Sequence, residues 1–92
     1  MKNVNWFKKE FESYLKGYDV KYKFFEKGDL GDLNQVEFNS KERGGEIDFW
    51  SSGWLNVHFV DYISGDELFN ILLKPDQYEE KDKVLNKLKD FL

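Results

Sequence analysis

The stretch that decides the fold is Gly44–Tyr62, which reads GGEIDFWSSGWLNVHFVDY. Apolar and polar residues alternate on both sides of a short turn, and side chains on a β-strand point to opposite faces with a period of two. The stretch therefore predicts a β-hairpin whose two faces differ in chemistry. One face carries the apolar set, which consists of Ile47, Phe49, Leu55, Val57 and Phe59.

The register of the hairpin follows if the apolar set is to share one face. Trp50 must then pair with Trp54, because a two-residue loop would set Trp50 opposite Leu55 and mix the faces. This pairing leaves residues 51–53 as a three-residue loop, whose third residue usually has a left-handed backbone. Gly53 adopts that conformation without steric cost, so pattern and turn chemistry agree.

The other face of the hairpin combines acids, amides and aromatic rings, and we call it the acidic aromatic face. The register sets Glu46 opposite His58 and Asp48 opposite Asn56. Trp and Tyr are the residues best suited to anchor a protein interface. The face consists of Glu46, Asp48, Trp50, Trp54, Asn56, His58 and Tyr62, and together with Asp61 these are the residues that we predict to bind a partner.

Length and composition bound the class of protein. A chain of 92 residues fits a single domain, residues 1–92. Without cysteine it can form neither a disulfide framework nor a thiolate metal site. The N-terminus lacks the apolar run of a signal peptide, and no stretch approaches the ~20 apolar residues of a membrane span. We therefore expect a globular protein of the cytoplasm that does not bind membranes.

Charge is distributed unevenly along the chain. Fourteen Lys and Arg against eighteen Asp and Glu give a net charge of −4. No Lys or Arg occurs from Gly44 to Leu73. A negative field of this kind repels phosphate backbones and attracts basic partners, which predicts a basic protein partner and no nucleic acid. The acidic residues of this interval are Glu46, Asp48, Asp61, Asp66 and Glu67.

Helical spacing of apolar residues predicts a helix at each end of the chain. The first runs from about Asn3 to Lys16 and is followed by Gly17, which stands where a left-handed C-cap is expected. The second follows Pro75 and is capped by Asp76. The apolar positions are Val4, Phe7, Phe11, Tyr14 and Leu15 in the first helix, and Tyr78, Val84, Leu85, Leu88, Phe91 and Leu92 in the second.

Two strands precede the central hairpin, separated by a turn at residues 28–32. In the first, Val20, Tyr22 and Phe24 point one way and the intervening lysines the other. In the second, Val36 and Phe38 continue the alternation, and a turn at residues 41–44 sets Phe38 opposite Ile47 and Val36 opposite Phe49. The Phe-rich face then continues across four strands.

Residues 66–74 admit two interpretations. As a strand, Phe69, Ile71 and Leu73 join the apolar face after a turn at residues 64–66, and we favour this interpretation. As a helix, Ser64 and Glu67 form a capping box. Short connections require antiparallel pairing. The predicted fold is α+β, a single antiparallel β-meander sheet of four or five strands with the N-terminal and C-terminal helices packed on one face.

The inventory for catalysis is small, with one His, no Cys and serines mostly in turns. We predict no catalytic residues, no metal and no cofactor. Two interpretations of the acidic aromatic face remain open: it binds a protein, or it is covered by a helix or by a second copy of the chain in a homodimer. The alternative function is that of a small ligand-binding domain or an enzyme, which would use a pocket around Trp50 and His58.

The chain resembles the small immunity proteins of bacterial polymorphic and contact-dependent toxin systems. The resemblance covers the whole chain as a profile: short, free of cysteine, acidic, aromatic-rich and α+β, with GGEIDFWSSGWLNVHFVDY as its most distinctive run. It implies a cytoplasmic, non-catalytic protein that binds a cognate toxin, often a basic nuclease, and blocks its active site or an adjacent surface. The toxin's identity and activity lie beyond what the resemblance implies.

Overall fold

A computed structural model of the chain describes residues 2–92 and has the predicted α+β architecture. Its strands are β1 (Asp19–Gly28), β2 (Gly31–Asn39), β3 (Arg43–Trp50), β4 (Leu55–Asp61) and β5 (Glu67–Leu73), and its helices are α1 (Val4–Trp6) and α2 (Tyr78–Lys89). The strands form one antiparallel sheet in the order β1-β2-β3-β4-β5. Each strand therefore pairs with its neighbour in sequence, which is the predicted meander.

The central hairpin has the predicted register. Ile47 lies opposite Val57 and Phe49 opposite Leu55. The N–H of Trp50 donates to the carbonyl of Trp54 at 3.1 Å, and the N–H of Gly53 donates to the carbonyl of Trp50 at 2.9 Å. Gly53 has φ +103°, so the three-residue loop and its left-handed third residue are confirmed.

The N-terminal helix is present but irregular. After α1, which Asn3 caps by accepting from the N–H of Trp6, the chain continues through a π-helical segment (Phe7–Phe11) and a 3₁₀ turn (Glu12–Leu15). Phe7 and Phe11 are fully buried, and their rings stack with centroids 5.1 Å apart. Packing against the sheet thus holds a segment that is not a regular helix.

Both helical regions bury their apolar residues against the same side of the sheet, which we call the covered face. The opposite side is the open face, and it includes the acidic aromatic face. Burial on one side follows from alternation, since every second residue of each strand points toward the helices. The buried cluster consists of Phe7, Phe11, Leu15, Val36, Phe38, Ile47, Phe49, Leu55, Val57, Phe59, Leu73, Leu85 and Leu88.

The predicted register between β2 and β3 is wrong by two residues. Val36 lies opposite Ile47, and Phe38 lies opposite Gly45. The connecting turn is shorter than predicted because Ser40 closes it: its hydroxyl accepts from the N–H of Arg43 at 3.2 Å and of Glu42 at 3.3 Å. Since a shift of two preserves alternation, each side chain keeps its predicted face.

Of the two edge strands, β5 packs its predicted apolar face against the core, whereas β1 leaves it partly exposed. In β5, Phe69 lies opposite Phe59 and Ile71 opposite Val57, which confirms the strand and excludes the helix with a capping box at Ser64. In β1, Tyr22 is 38% exposed and Phe24 is 56% exposed. The apolar face therefore thins out along β1, where the N-terminal segment contacts Tyr22 through Phe7 and Glu12 but leaves it partly exposed.

The start of α2 differs from the prediction at its cap. Gln77, not Asp76, is the N-cap residue, and its side chain accepts from the N–H of Lys74 at 2.7 Å. Leu85 and Leu88 are buried as predicted, whereas Tyr78 is 67% exposed. The side of the first turn that faces the protein is occupied instead by Lys81, which is only 6% exposed.

Candidate functional site

The acidic aromatic face lies on the open face of the sheet. The register pairs Glu46 with His58 and Asp48 with Asn56, as predicted, and both helical regions pack on the other side. The tryptophan pair stands at one end of β3 and β4, where the hairpin closes. The structure thus brings acids and aromatic rings together on one side of the sheet.

Asp48 is the centre of this face and is only 6% exposed. The side-chain amide of Gln35 donates to Oδ1 at 2.8 Å, and that of Asn56 donates to Oδ2 at 3.1 Å. Hydrogen bonds to both oxygens compensate for removing a carboxylate from water. Asp48 therefore orders the face from within, and it is not a carboxylate freely available to a partner.

Glu46 is more accessible than Asp48, and its surroundings disfavour its ionised form. The Gln35 amide bridges it to Asp48, since Nε2 also donates to Glu46 Oε2 at 2.6 Å. Partial burial, and then the negative charge of Asp48, raise the pKa of Glu46 above its ordinary value. A cation placed over this pair would relieve the repulsion, so the site is electrostatically prepared for a basic group.

His58 turns toward β5 rather than toward Glu46. Its Nε2 lies 3.3 Å from Glu67 Oε2, and the Asn70 amide donates to Glu67 Oε1 at 2.8 Å. The hydrogen bond from Asn70, followed by that from His58, lowers the pKa of Glu67. Within residues 2–92 no group of three His, Asp or Glu side chains is arranged to hold a metal ion.

The loop that carries the tryptophan pair is held on two sides. The N–H of Ser51 donates to the carbonyl of Asp32 at 2.8 Å, and the N–H of Asp32 donates to Ser51 Oγ at 2.9 Å. On the other side, Lys81 Nζ donates to the carbonyl of Gly53 at 2.7 Å. A loop fixed in this way loses little conformational entropy on binding, which favours tight recognition.

The apolar end of the open face is larger than predicted. Trp50 lies opposite Leu33, and Leu33 lies opposite Phe25, which is 50% exposed. Cross-strand neighbours on one face are close enough for their side chains to interact. The predicted register set Gln35 beside Trp50, so both this apolar row and the contact of Gln35 with Asp48 were missed. A turn closed by Ser40 was the signal that would have found them.

Asp61 and Tyr62 lie at the other end of the hairpin. Asp61 lies opposite Arg43 in the register of β3 and β4. Its Oδ1 accepts hydrogen bonds from the N–H of Ile63 at 2.9 Å and of Ser64 at 3.2 Å. Tyr62 crosses Gly44 and hydrogen-bonds to the side chain of Asn39. Asp61 thus stabilises the β4–β5 turn, while Tyr62 extends the acidic aromatic face along its rim.

Trp50 and His58 do not adjoin in the register. Asp48 and Asn56 form the pair that separates them. A groove of about 370 Å³ lies elsewhere, between β5 and α2. The arrangement of the open face therefore resembles a broad surface with a polar centre, which suits contact with a macromolecule better than enclosure of a small ligand.

Comparisons with protein-family models, with curated proteins and with solved structures found no match for this chain. Among residues 2–92, neither helix has the length and hydrophobicity needed to cross a membrane.

Proposed function

We propose that this chain is a non-catalytic protein-binding module that neutralises a basic toxin in the bacterial cytoplasm, as immunity proteins do. The observation that carries the proposal is a juxtaposition on a sheet face that the helices leave open. There Trp50 and Trp54, both partly exposed and joined by a loop that hydrogen bonds hold, lie beside partly desolvated carboxylates. Exposed aromatic surfaces with a polar surround are typical of protein interaction sites.

Charge on the open face supports a basic partner. Glu37, Glu46 and Asp48 lie on neighbouring strands, β2 and β3, with Glu37 directly opposite Glu46. Two lysines of β1 offset part of this charge: Lys21 lies opposite Glu37, and Lys23 forms an ion pair with Glu37 at 2.8 Å. The three acids outnumber these two lysines, and an excess of negative charge accelerates encounter with a basic protein.

The apolar row supplies the anchor that charge alone does not. Phe25, Leu33 and Trp50 lie side by side across β1, β2 and β3, and Trp54 follows across the hairpin. Binding energy in protein interfaces concentrates in a few large side chains that exclude water from the contact. In this proposal the acids steer the partner toward the face, and the apolar row holds it there.

The decisive experiment measures affinity and folding stability on the same variants, with a basic protein that copurifies with the native chain as the binding partner. Trp54→Ala should weaken binding by ~2 kcal/mol or more, chiefly through faster dissociation, while the isolated protein stays folded. Trp6→Ala is the matched control, because Trp6 packs against Phe11 in the N-terminal segment. It should lower stability and leave the affinity of the folded protein unchanged.

Charge reversal tests the steering step. Glu46→Lys should slow association and reduce its dependence on salt, because long-range charge acts on encounter. Glu10→Lys makes the same change in net charge on the exposed side of the N-terminal segment and should have little effect. Asp48 is unsuited to this test, since its buried carboxylate is part of the fold.

Two results would contradict the proposal. One is unchanged affinity in a stable Trp54→Ala protein. The other is a homodimer that dissociates on mutation of Trp50 or Trp54, because the second copy would then be what covers the face. A toxin gene directly upstream would support the assignment to immunity proteins. Its absence would count against that assignment and leave the more general one, a protein-binding module, in place.

A further inference from the structure

The free edge of β5 borders an apolar groove. β5 is the last strand of the sheet, so one side of its backbone has no neighbouring strand. Between this edge and α2 lies a groove of about 370 Å³. Apolar side chains of both elements line it, and two lysines of α2 stand at its rim; the residues are Phe69, Ile71, Val84, Phe91, Lys83 and Lys87.

The other edge of the sheet is protected, and this one is not. β1 carries Lys21, Lys23 and Lys27 along its length. Charged side chains, lysine above all, are a usual means by which proteins prevent another strand from pairing with an edge. By contrast, β5 has no charged residue from Leu68 to Leu73. The asymmetry marks β5 as the edge that accepts a strand.

We propose that the β5 edge and its groove bind an extended acidic segment of a partner protein, which adds a sixth strand to the five-stranded sheet. Its backbone pairs with β5, and every second side chain of the added strand faces the groove, because side chains of a strand alternate between its faces. Among these groove-facing side chains, the apolar ones enter the groove and the carboxylates meet the two rim lysines. Lys83 and Lys87 are both exposed, and neither forms an ion pair within residues 2–92. The rim of this groove is basic, whereas the acidic aromatic face is negative, and the two surfaces have no residue in common.

The same lysines argue against a second copy of the chain as the occupant. Pairing of two β5 edges about a two-fold axis would continue the sheet and place both α2 helices side by side on one face. Lys83 and Lys87 lie one helical turn apart on α2, so each copy would meet like charges of the other. An acidic strand removes that repulsion.

The test uses a blocked, fluorescently labelled peptide that is about nine residues long to match a strand. Threonine occupies every second position, and valine and glutamate alternate at the positions between, so that both can face the groove. A second peptide replaces every glutamate with lysine, and a third is methylated on alternate backbone nitrogens, which removes the donors that strand pairing needs. Fluorescence anisotropy measures binding, and amide chemical shifts of the protein locate it. The acidic peptide should bind, shift amides of β5 and α2, and bind far better than either control.

Charge variants complete the test. The double variant Lys83→Glu, Lys87→Glu should weaken binding of the acidic peptide by about tenfold or more, since each lysine contributes to complementarity. Lys9→Glu with Lys41→Glu changes two exposed lysines elsewhere and should have no effect. Equal binding of the lysine or methylated peptide, failure of the acidic peptide to bind, shifts confined to another surface, or a β5-mediated dimer would each overturn the proposal.

Discussion

Lys81 Nζ donates to the carbonyl oxygen of Gly53 at 2.7 Å, and so joins the last helix to the loop of the central hairpin. The same nitrogen donates to the carbonyl of Pro75 at 3.0 Å. Burial lowers the pKa of Lys81, and the negative charge of Asp76 opposes that shift. This buried lysine of α2 therefore clamps the loop that joins the two tryptophans.

Replacing this lysine should destabilise the protein. Lys81→Met keeps the length of the side chain but leaves two carbonyls, Gly53 and Pro75, without their donor, at a cost of roughly 1 to 3 kcal/mol. Lys83→Met, on the exposed side of α2, is the control and should change little. Urea denaturation measures both, and equal midpoints for the two variants would show that the clamp contributes nothing.

Gly53 should tolerate substitution only by residues that accept a left-handed backbone. Gly53→Val places a β-branched side chain at φ +103°, which costs roughly 1 to 3 kcal/mol. Gly53→Asn isolates this effect, because any Cβ at this position meets Pro75 Cβ at 3.0 Å, whereas Asn tolerates positive φ. Val should lower the thermal midpoint more than Asn, and the reverse order would exclude backbone strain as the cause.

Two neighbouring glycines should respond differently to the same change. A Cβ on Gly45 would overlap the backbone carbonyl of His58, so Gly45→Ala must displace β4 and should cost roughly 2 kcal/mol or more. The three atoms nearest to a Cβ on Gly44 all belong to the side chains of Asn39 and Tyr62, which can move. Gly44→Ala should therefore cost less, roughly 1 kcal/mol, mainly because the hydrogen bond from the Tyr62 hydroxyl to Asn39 would be lost. Chemical denaturation ranks the two.

Glu46 should make folding stability depend on pH in an unusual direction for an acid. Its pKa is raised in the folded state, so its protonated form is favoured by folding. This contribution is fully present below the ordinary pKa of glutamate and is lost as pH rises through the raised value. Glu46→Gln should remove this dependence and keep the hydrogen bond from Gln35. Thermal midpoints measured from about pH 4 to pH 7 test this, and parallel curves for the two proteins would refute it.

Alternation and turn chemistry were sufficient for the central hairpin. Ile47, Phe49 and Leu55 share a face in a single register, and Gly53 suits the loop that this register requires. Both kinds of information are local, since they depend on residues close together in the chain. For the same reason the sequence alone determined the order of the elements, the meander and the face on which each strand residue lies.

Tertiary structure decided the pairings between those elements. Val36 meets Ile47 because Ser40 closes the β2–β3 turn, a choice between two registers that alternation cannot distinguish. Asp48 is buried beneath two amides and Lys81 against two carbonyls, and all four hydrogen-bond partners lie on other strands or in turns. A periodic pattern reports which side of an element is apolar. It does not report which polar groups meet across elements, because that depends on a register shared by at least two of them.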